Sequence, residues 1–193
     1  MGKVQVSQAH RHGANVLAKA AVAGSAVSGT TKILLSFGSA NNGFQYTIAL
    51  REAIMERKSW TDKSYVFVDA VSAKDHKLAV TKENRTLNPV WSSLYLAAIR
   101  QCKAMTFIVT KPWLESQWCQ QELQWWKRNQ ERTPIIVLMF ADAVSHPTSN
   151  AFKDLVSDSN DFISVAKTLT VDEMPRVGPE IEAFLGRMNN YLA

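Results

Sequence analysis

A parallel sheet covered by helices on both faces is the fold class this sequence predicts, and three observations predict it. From Lys32 onward, short apolar runs recur at 32–37, 64–70, 104–110, 134–140 and 162–166. Those runs are nearly continuous in apolar residues, the pattern of strands buried on both faces and not of half-exposed ones. Between them, apolar residues return three and four apart, the spacing of an amphipathic helix. Alternation of the two patterns gives an α/β domain of five βα units.

Each element follows from its residues. Lys32-Ile33-Leu34-Leu35-Ser36-Phe37 forms the opening strand, and Gly38-Ser39-Ala40-Asn41-Asn42-Gly43 the turn after it. Tyr46, Leu50, Ala53 and Ile54 then mark a helix face. The second strand, Tyr65-Val66-Phe67-Val68-Asp69, leads into a long polar connection, residues 71–89, that ends at Asn88-Pro89. Connections of that length in a compact domain are functional or disordered. Trp91, Leu94, Tyr95, Ala98 and Cys102 set the next helix, and Met105-Thr106-Phe107-Ile108-Val109 the third strand. Pro134 starts the fourth strand without breaking a ladder. Ile181, Phe184, Leu185 and Met188 define a closing helix. Residues 1–31 read as a leader, a short helix or flexible segment, followed by one domain over 32–193. A cleaved secretory signal is disfavoured because Lys19 interrupts the apolar stretch.

Composition narrows the function. A chain of 193 residues with 46% hydrophobic and 20% charged residues suits one globular domain with a proper core. The net charge of +5 comes without a basic run or basic-aromatic stripe, so nucleic acid is not an expected partner. No apolar run reaches the roughly 18 residues of a membrane span. Cys102 and Cys119 are too few for a disulfide scaffold, and no His or Cys cluster has metal-ligand spacing. A cysteine protease is set aside, because Cys119 lies on a core stripe and His10, His12, His76 and His146 sit in leader or loop segments.

The most informative stretch is Trp118-Cys119-Gln120-Gln121-Glu122-Leu123, a helix opening after the third strand. At about 100° per residue, Trp118, Glu122 and Trp125 share one stripe, and Cys119, Leu123 and Trp126 another. The second stripe reads as core. The first puts a carboxylate one turn beyond an indole, near the carboxyl edge of the sheet where ligands of open α/β folds bind. A solvated helix glutamate gives the same spacing. On the functional reading, Glu122 is an exposed cleft carboxylate.

The segment from Ala98 to Thr110, followed by Leu114-Glu115-Ser116-Gln117-Trp118-Cys119-Gln120-Gln121-Glu122-Leu123, resembles the TIR domain family, most specifically in its Trp-Cys-x-x-Glu-Leu stretch. The opening strand and the Phe67-Val68-Asp69 strand end are similar to those of the same family, and the resemblance covers about residues 32–193. It implies a flavodoxin-like sheet in the order 2-1-3-4-5 and, in the NAD+-cleaving branch, a substrate site with Glu122 as catalytic group. Trp118, Phe37, Gly38, Trp91 and Asp69 are the substrate-binding residues by position. Phe37 would lie beside the adenosine half. Gly38 belongs to a turn that either approaches a phosphate or is a plain turn, and it lacks the Arg or Asp of many relatives. Trp91 either packs in the core or flanks the adenine. The 71–89 segment matches the loop these domains use for self-association and for gating the site. Here it is longer and lacks the frequent Pro-Gly tip.

The implied reaction breaks the nicotinamide–ribose bond of NAD+, with NAD+ as substrate, no further cofactor and no metal. The products left open are ADP-ribose, a cyclic ADP-ribose and a base-exchange product. A stand-alone prokaryotic TIR protein is expected, cytoplasmic or delivered into a target cell, in antiviral defence or as a toxin, with a downstream effector sensing the product. The rival is a non-enzymatic TIR adaptor or mimic acting by TIR–TIR association.

Overall fold

The computed structural model describes residues 31–68, 89–128 and 133–193, with the side chains of 89–91 left aside. Five strands form one parallel sheet: β1 (Ile33–Phe37), β2 (Val66–Val68), β3 (Ala104–Val109), β4 (Ile135–Phe140) and β5 (Phe162–Val165). Their order is β2-β1-β3-β4-β5. The α/β class and the strand order match the expectation from sequence. Strands keep within two residues of the apolar runs, because a run buried on both faces has few alternatives.

Six α-helices accompany the sheet among the described residues: α1 (Gly43–Arg57), α2 (Pro89–Gln101), α3 (Lys111–Glu115), α4 (Gln117–Arg128), α5 (Ala141–Val144) and α6 (Glu180–Leu192). Side chains alternate along each strand, so every strand feeds two cores. Leu34, Met105, Phe107, Val109, Val137 and Met139 pack with α2, α3 and α4. Ile33, Leu35, Phe37, Ile108, Leu138 and Val165 pack with α1 and α6.

The short helices α3 and α5 fall where no periodicity pointed. Lys111-Pro112-Trp113-Leu114-Glu115 is too brief for a periodic signal, but its start is well specified. The Thr110 side chain accepts the backbone N–H of Trp113, and Pro112 occupies the first turn. The expected leader, except for Thr31, lies outside the described residues. So does nearly all of the expected 71–89 loop, which yields its last residue, Pro89, to the start of α2. No helix among the described residues is long and apolar enough to cross a membrane.

Candidate active site

Ser36 is the one polar side chain in β1, and strand alternation turns it with Leu34 toward α2 and α4. In register it stands beside Phe107 of β3. From the helix side Glu122, in the second turn of α4, meets it. Glu122 Oε2 accepts a hydrogen bond from Ser36 Oγ at 2.5 Å and another from the Tyr95 hydroxyl at 2.8 Å. Behind Ser36, the indole Nε1 of Trp113 donates to its Oγ at 3.0 Å. Four elements, β1, α2, α3 and α4, therefore converge on one carboxylate near the carboxyl end of the sheet.

Burial of this group departs from the expected exposed cleft residue: Glu122 is 2% exposed, as buried as Cys119 on the core stripe. A carboxylate leaves water at a high cost unless donors replace the solvent's hydrogen bonds, and the two hydroxyls do so here. Both stripes of α4 consequently reach inward. Cys119 and Leu123 are core residues, and the Cys119 thiol points to the Phe37 carbonyl oxygen at 3.4 Å. The helix start is fixed by Ser116, whose hydroxyl accepts the Cys119 N–H, and Lys127 and Arg128 complement the dipole in its last turn.

An aromatic wall runs along the same stripe of α4. Trp118 is partly buried against the core and meets Trp125 edge to face, ring centroids 5.9 Å apart. Trp125 in turn lies 5.7 Å from Tyr95, the ring that hydrogen-bonds Glu122. Trp113 is fully buried between Phe107 and Phe152.

The remaining expected site residues are placed as follows. Trp118 precedes Glu122 by one turn, as its spacing requires. Phe37 projects from the opposite face of β1 to Ser36, into the α1/α6 core, with its ring 5.8 Å from Phe44. The side chains of Phe37 and Glu122 are thus not brought together, although the Phe37 carbonyl touches α4. Gly38 is required by packing: a Cβ there would stand 2.9 Å from the Trp113 backbone nitrogen. Gly43 is tighter still, since a Cβ would meet the Gly38 carbonyl oxygen at 1.9 Å. Between them Asn41 and Asn42 take left-handed backbone conformations, which asparagine tolerates. Trp91 falls in the first turn of α2, its side chain not described, and Asp69 lies outside the described residues.

Sequence reasoning missed Ser36, Tyr95 and Trp113 as members of this centre. Tyr95 was read only as part of a core face, and Trp113 carried no reading. The available signal was a lone hydroxyl inside an apolar strand, a group that must find a partner when buried.

The other face of the sheet holds a second buried carboxylate, Glu180, at the first position of α6. Its Oε1 accepts from the Tyr46 hydroxyl at 2.9 Å, from Lys167 Nζ at 2.8 Å and from the Gly178 N–H at 3.0 Å. Burial alone would raise its pKa, but the bonds from Lys167, Gly178, its own N–H and Tyr46 outweigh that and hold it below the ordinary value. The Tyr46 phenol is pushed well above its ordinary range, first by burial and then by the Glu180 charge. The loop running into α6 is tied to the first βα turn by Asn42 Nδ2, which donates to the carbonyls of Thr170 and Glu173. It surrounds a pocket of about 160 Å³ bordered by Lys167, Thr170, Met174 and Arg176.

Among the described residues no group of three His, Cys, Asp or Glu side chains is arranged to hold a metal ion. Both cysteines are buried and outside any disulfide, and burial pushes the Cys102 thiol up to about 12.

No protein-family model matches this chain, and no solved structure does. It is similar to the 3′ cyclic ADP-D-ribose synthase HopAM1 of Pseudomonas syringae pv. tomato, with 29% identity over 105 residues. That match covers 49% of this chain and 38% of the relative, so the chain spans well under two thirds of the relative's length.

Proposed function

We propose that this chain is a TIR-type NAD+ nucleosidase that cleaves the nicotinamide–ribose bond, with Glu122 as its catalytic carboxylate. The observation that carries the reading is Glu122 itself, a carboxylate oriented by two hydroxyls beside the Trp118–Trp125 aromatic wall. Similarity to a 3′ cyclic ADP-D-ribose synthase supports the substrate class.

Chemistry makes one carboxylate sufficient. Departure of nicotinamide leaves a ribose with oxocarbenium character, as in other glycosidic cleavages. Ordinary glycosidases add a general acid because their leaving oxygen must be protonated. The nicotinamide of NAD+ is a cationic pyridinium and departs neutral, so that acid is unnecessary. In this reading Glu122 holds ribose hydroxyls and stabilises positive charge as it develops on the sugar. Trp118 is the ring for the pyridinium cation to stack on, a contact worth about 0.5–2 kcal/mol. Capture by water yields ADP-ribose, and capture by a nucleophile within the same molecule yields a cyclic ADP-ribose. Self-association through residues 71–89 belongs to the same proposal.

A Glu122→Gln variant keeps the shape and removes the charge. Nicotinamide release is expected to fall at least about a hundredfold. Near-normal turnover by a folded Glu122→Gln protein contradicts the assignment. The rival, a TIR association module without catalysis, draws on the burial of Glu122, since a carboxylate 2% exposed also suits a structural post. Absence of NAD+ turnover in the parent chain would select it.

A further inference from the structure

The hydroxyls that reach Glu122 have little choice of direction. An indole N–H is only a donor, so the 3.0 Å bond from Trp113 occupies a lone pair of Ser36 Oγ. The Ser36 hydrogen is then directed to Glu122 Oε2, 2.5 Å away. Tyr95 has one hydroxyl hydrogen, and it goes to the same oxygen at 2.8 Å. The order of donation runs from Trp113 to Ser36 to Glu122, with Tyr95 converging from α2. Bonds in such a series polarise and strengthen one another.

All three partners are rigidly held. Ser36 and Tyr95 are each 1% exposed and Trp113 is fully buried. Ser36 sits within a paired strand, Tyr95 packs edge-on against Phe67, and Trp113 is wedged between two phenylalanines. The last torsion of a glutamate side chain is broad and roughly twofold when unconstrained. Two donors from different elements on one oxygen remove that freedom.

We propose that Ser36 and Tyr95, with Trp113 behind Ser36, are positioning residues that set the direction of the Glu122 carboxylate for NAD+ cleavage, an inference that rests on the nucleosidase reading. They act through Glu122 and not on the substrate. Hydroxyl donors fix an orientation without themselves adding a counter-charge, which suits a group whose direction matters for charge stabilisation at the sugar. Misplacement of a reacting group by about 1 Å can cost a hundredfold in rate.

Steady-state NAD+ cleavage by the full chain tests the inference, comparing the parent with Ser36→Ala, Ser36→Thr and Tyr95→Phe. Loss of either hydroxyl is expected to lower kcat about ten- to a hundredfold. KM should stay within about threefold, because the substrate does not touch these groups. Ser36→Thr, which keeps the hydroxyl, should retain more kcat than Ser36→Ala. A second readout is the carboxyl carbon resonance of Glu122 in glutamate-labelled protein, assigned by its loss in Glu122→Gln. It should shift in Tyr95→Phe and Ser36→Ala, while that of Glu180 stays in place. A folded Tyr95→Phe protein with kcat within about twofold of the parent overturns the positioning role, as does a Glu122 resonance unmoved in both variants. A parent chain that releases no nicotinamide overturns the nucleosidase reading and this inference with it. That failure is recognised because the parent itself is silent.

Discussion

The two faces of this sheet each bury a glutamate, and the two carboxylates are reached by different kinds of donor. On the α1/α6 face, Glu180 receives an ammonium, a phenol and a backbone N–H on one oxygen. An ion pair of this kind neutralises the charge and ties the loop after β5 to the start of α6. On the α2/α4 face, Glu122 receives a serine hydroxyl and a phenol. Both of those donors are uncharged hydroxyls, which direct the carboxylate oxygen they reach. Both carboxylates are nearly inaccessible, Glu180 at 8% and Glu122 at 2% exposure, so burial alone does not distinguish them.

Exchanging charge for amide at the two positions gives the largest expected contrast. Glu122→Gln should lose at least about a hundredfold in nicotinamide release. Glu180→Gln, in the same assay, should stay within about twofold per folded molecule. Equal losses at both positions would erase the distinction drawn between the two faces.

Stability provides a sharper comparison within α4. Leu123 is 6% exposed and belongs to the core, so Leu123→Ala should cost about 2–5 kcal/mol by urea unfolding, through the cavity it leaves. A silent Leu123→Ala would mean that α4 is rotated about its axis.

A smaller effect, with a defined pH dependence, is expected at Glu180. Its pKa in the folded chain lies below the ordinary 4.5, so its bonds stabilise the fold above that value. The contribution is lost as pH falls through the lowered folded value. Glu180→Gln should therefore cost about 1–2 kcal/mol near neutrality, reduced from the figure for buried charged bonds because Lys167 is 32% exposed. In acid, below 4.5, the gap between parent and variant should close. A gap that is constant with pH would show that Glu180 acts through packing.

Much of this was legible in the residues. Runs such as Ile135-Ile136-Val137-Leu138-Met139-Phe140, short and rich in β-branched residues, suit a strand covered on both faces, and β4 matches that run. The strand order was not readable from periodicity and came from the family resemblance. At the site, spacing identified Glu122 and Trp118 but not their surroundings. Ser36 and Glu122 are 86 residues apart in sequence, and no local pattern reports a contact of that range. Tyr95 fell correctly on a buried helix face, yet its phenol needed a partner that only the tertiary structure names. The turn at Gly38 illustrates the opposite limit. Its glycines suit a phosphate cradle in sequence, while in the fold they are demanded by contacts with Trp113 and by the Gly38 carbonyl itself.

Product analysis after incubating the full chain with NAD+ tests the central claim most directly, at protein concentrations spanning about a hundredfold to expose any dependence on assembly. The account predicts free nicotinamide together with ADP-ribose or a cyclic ADP-ribose in matching amounts, with specific activity rising as protein concentration rises. Intact NAD+ at every concentration, in the presence of folded protein, would contradict it.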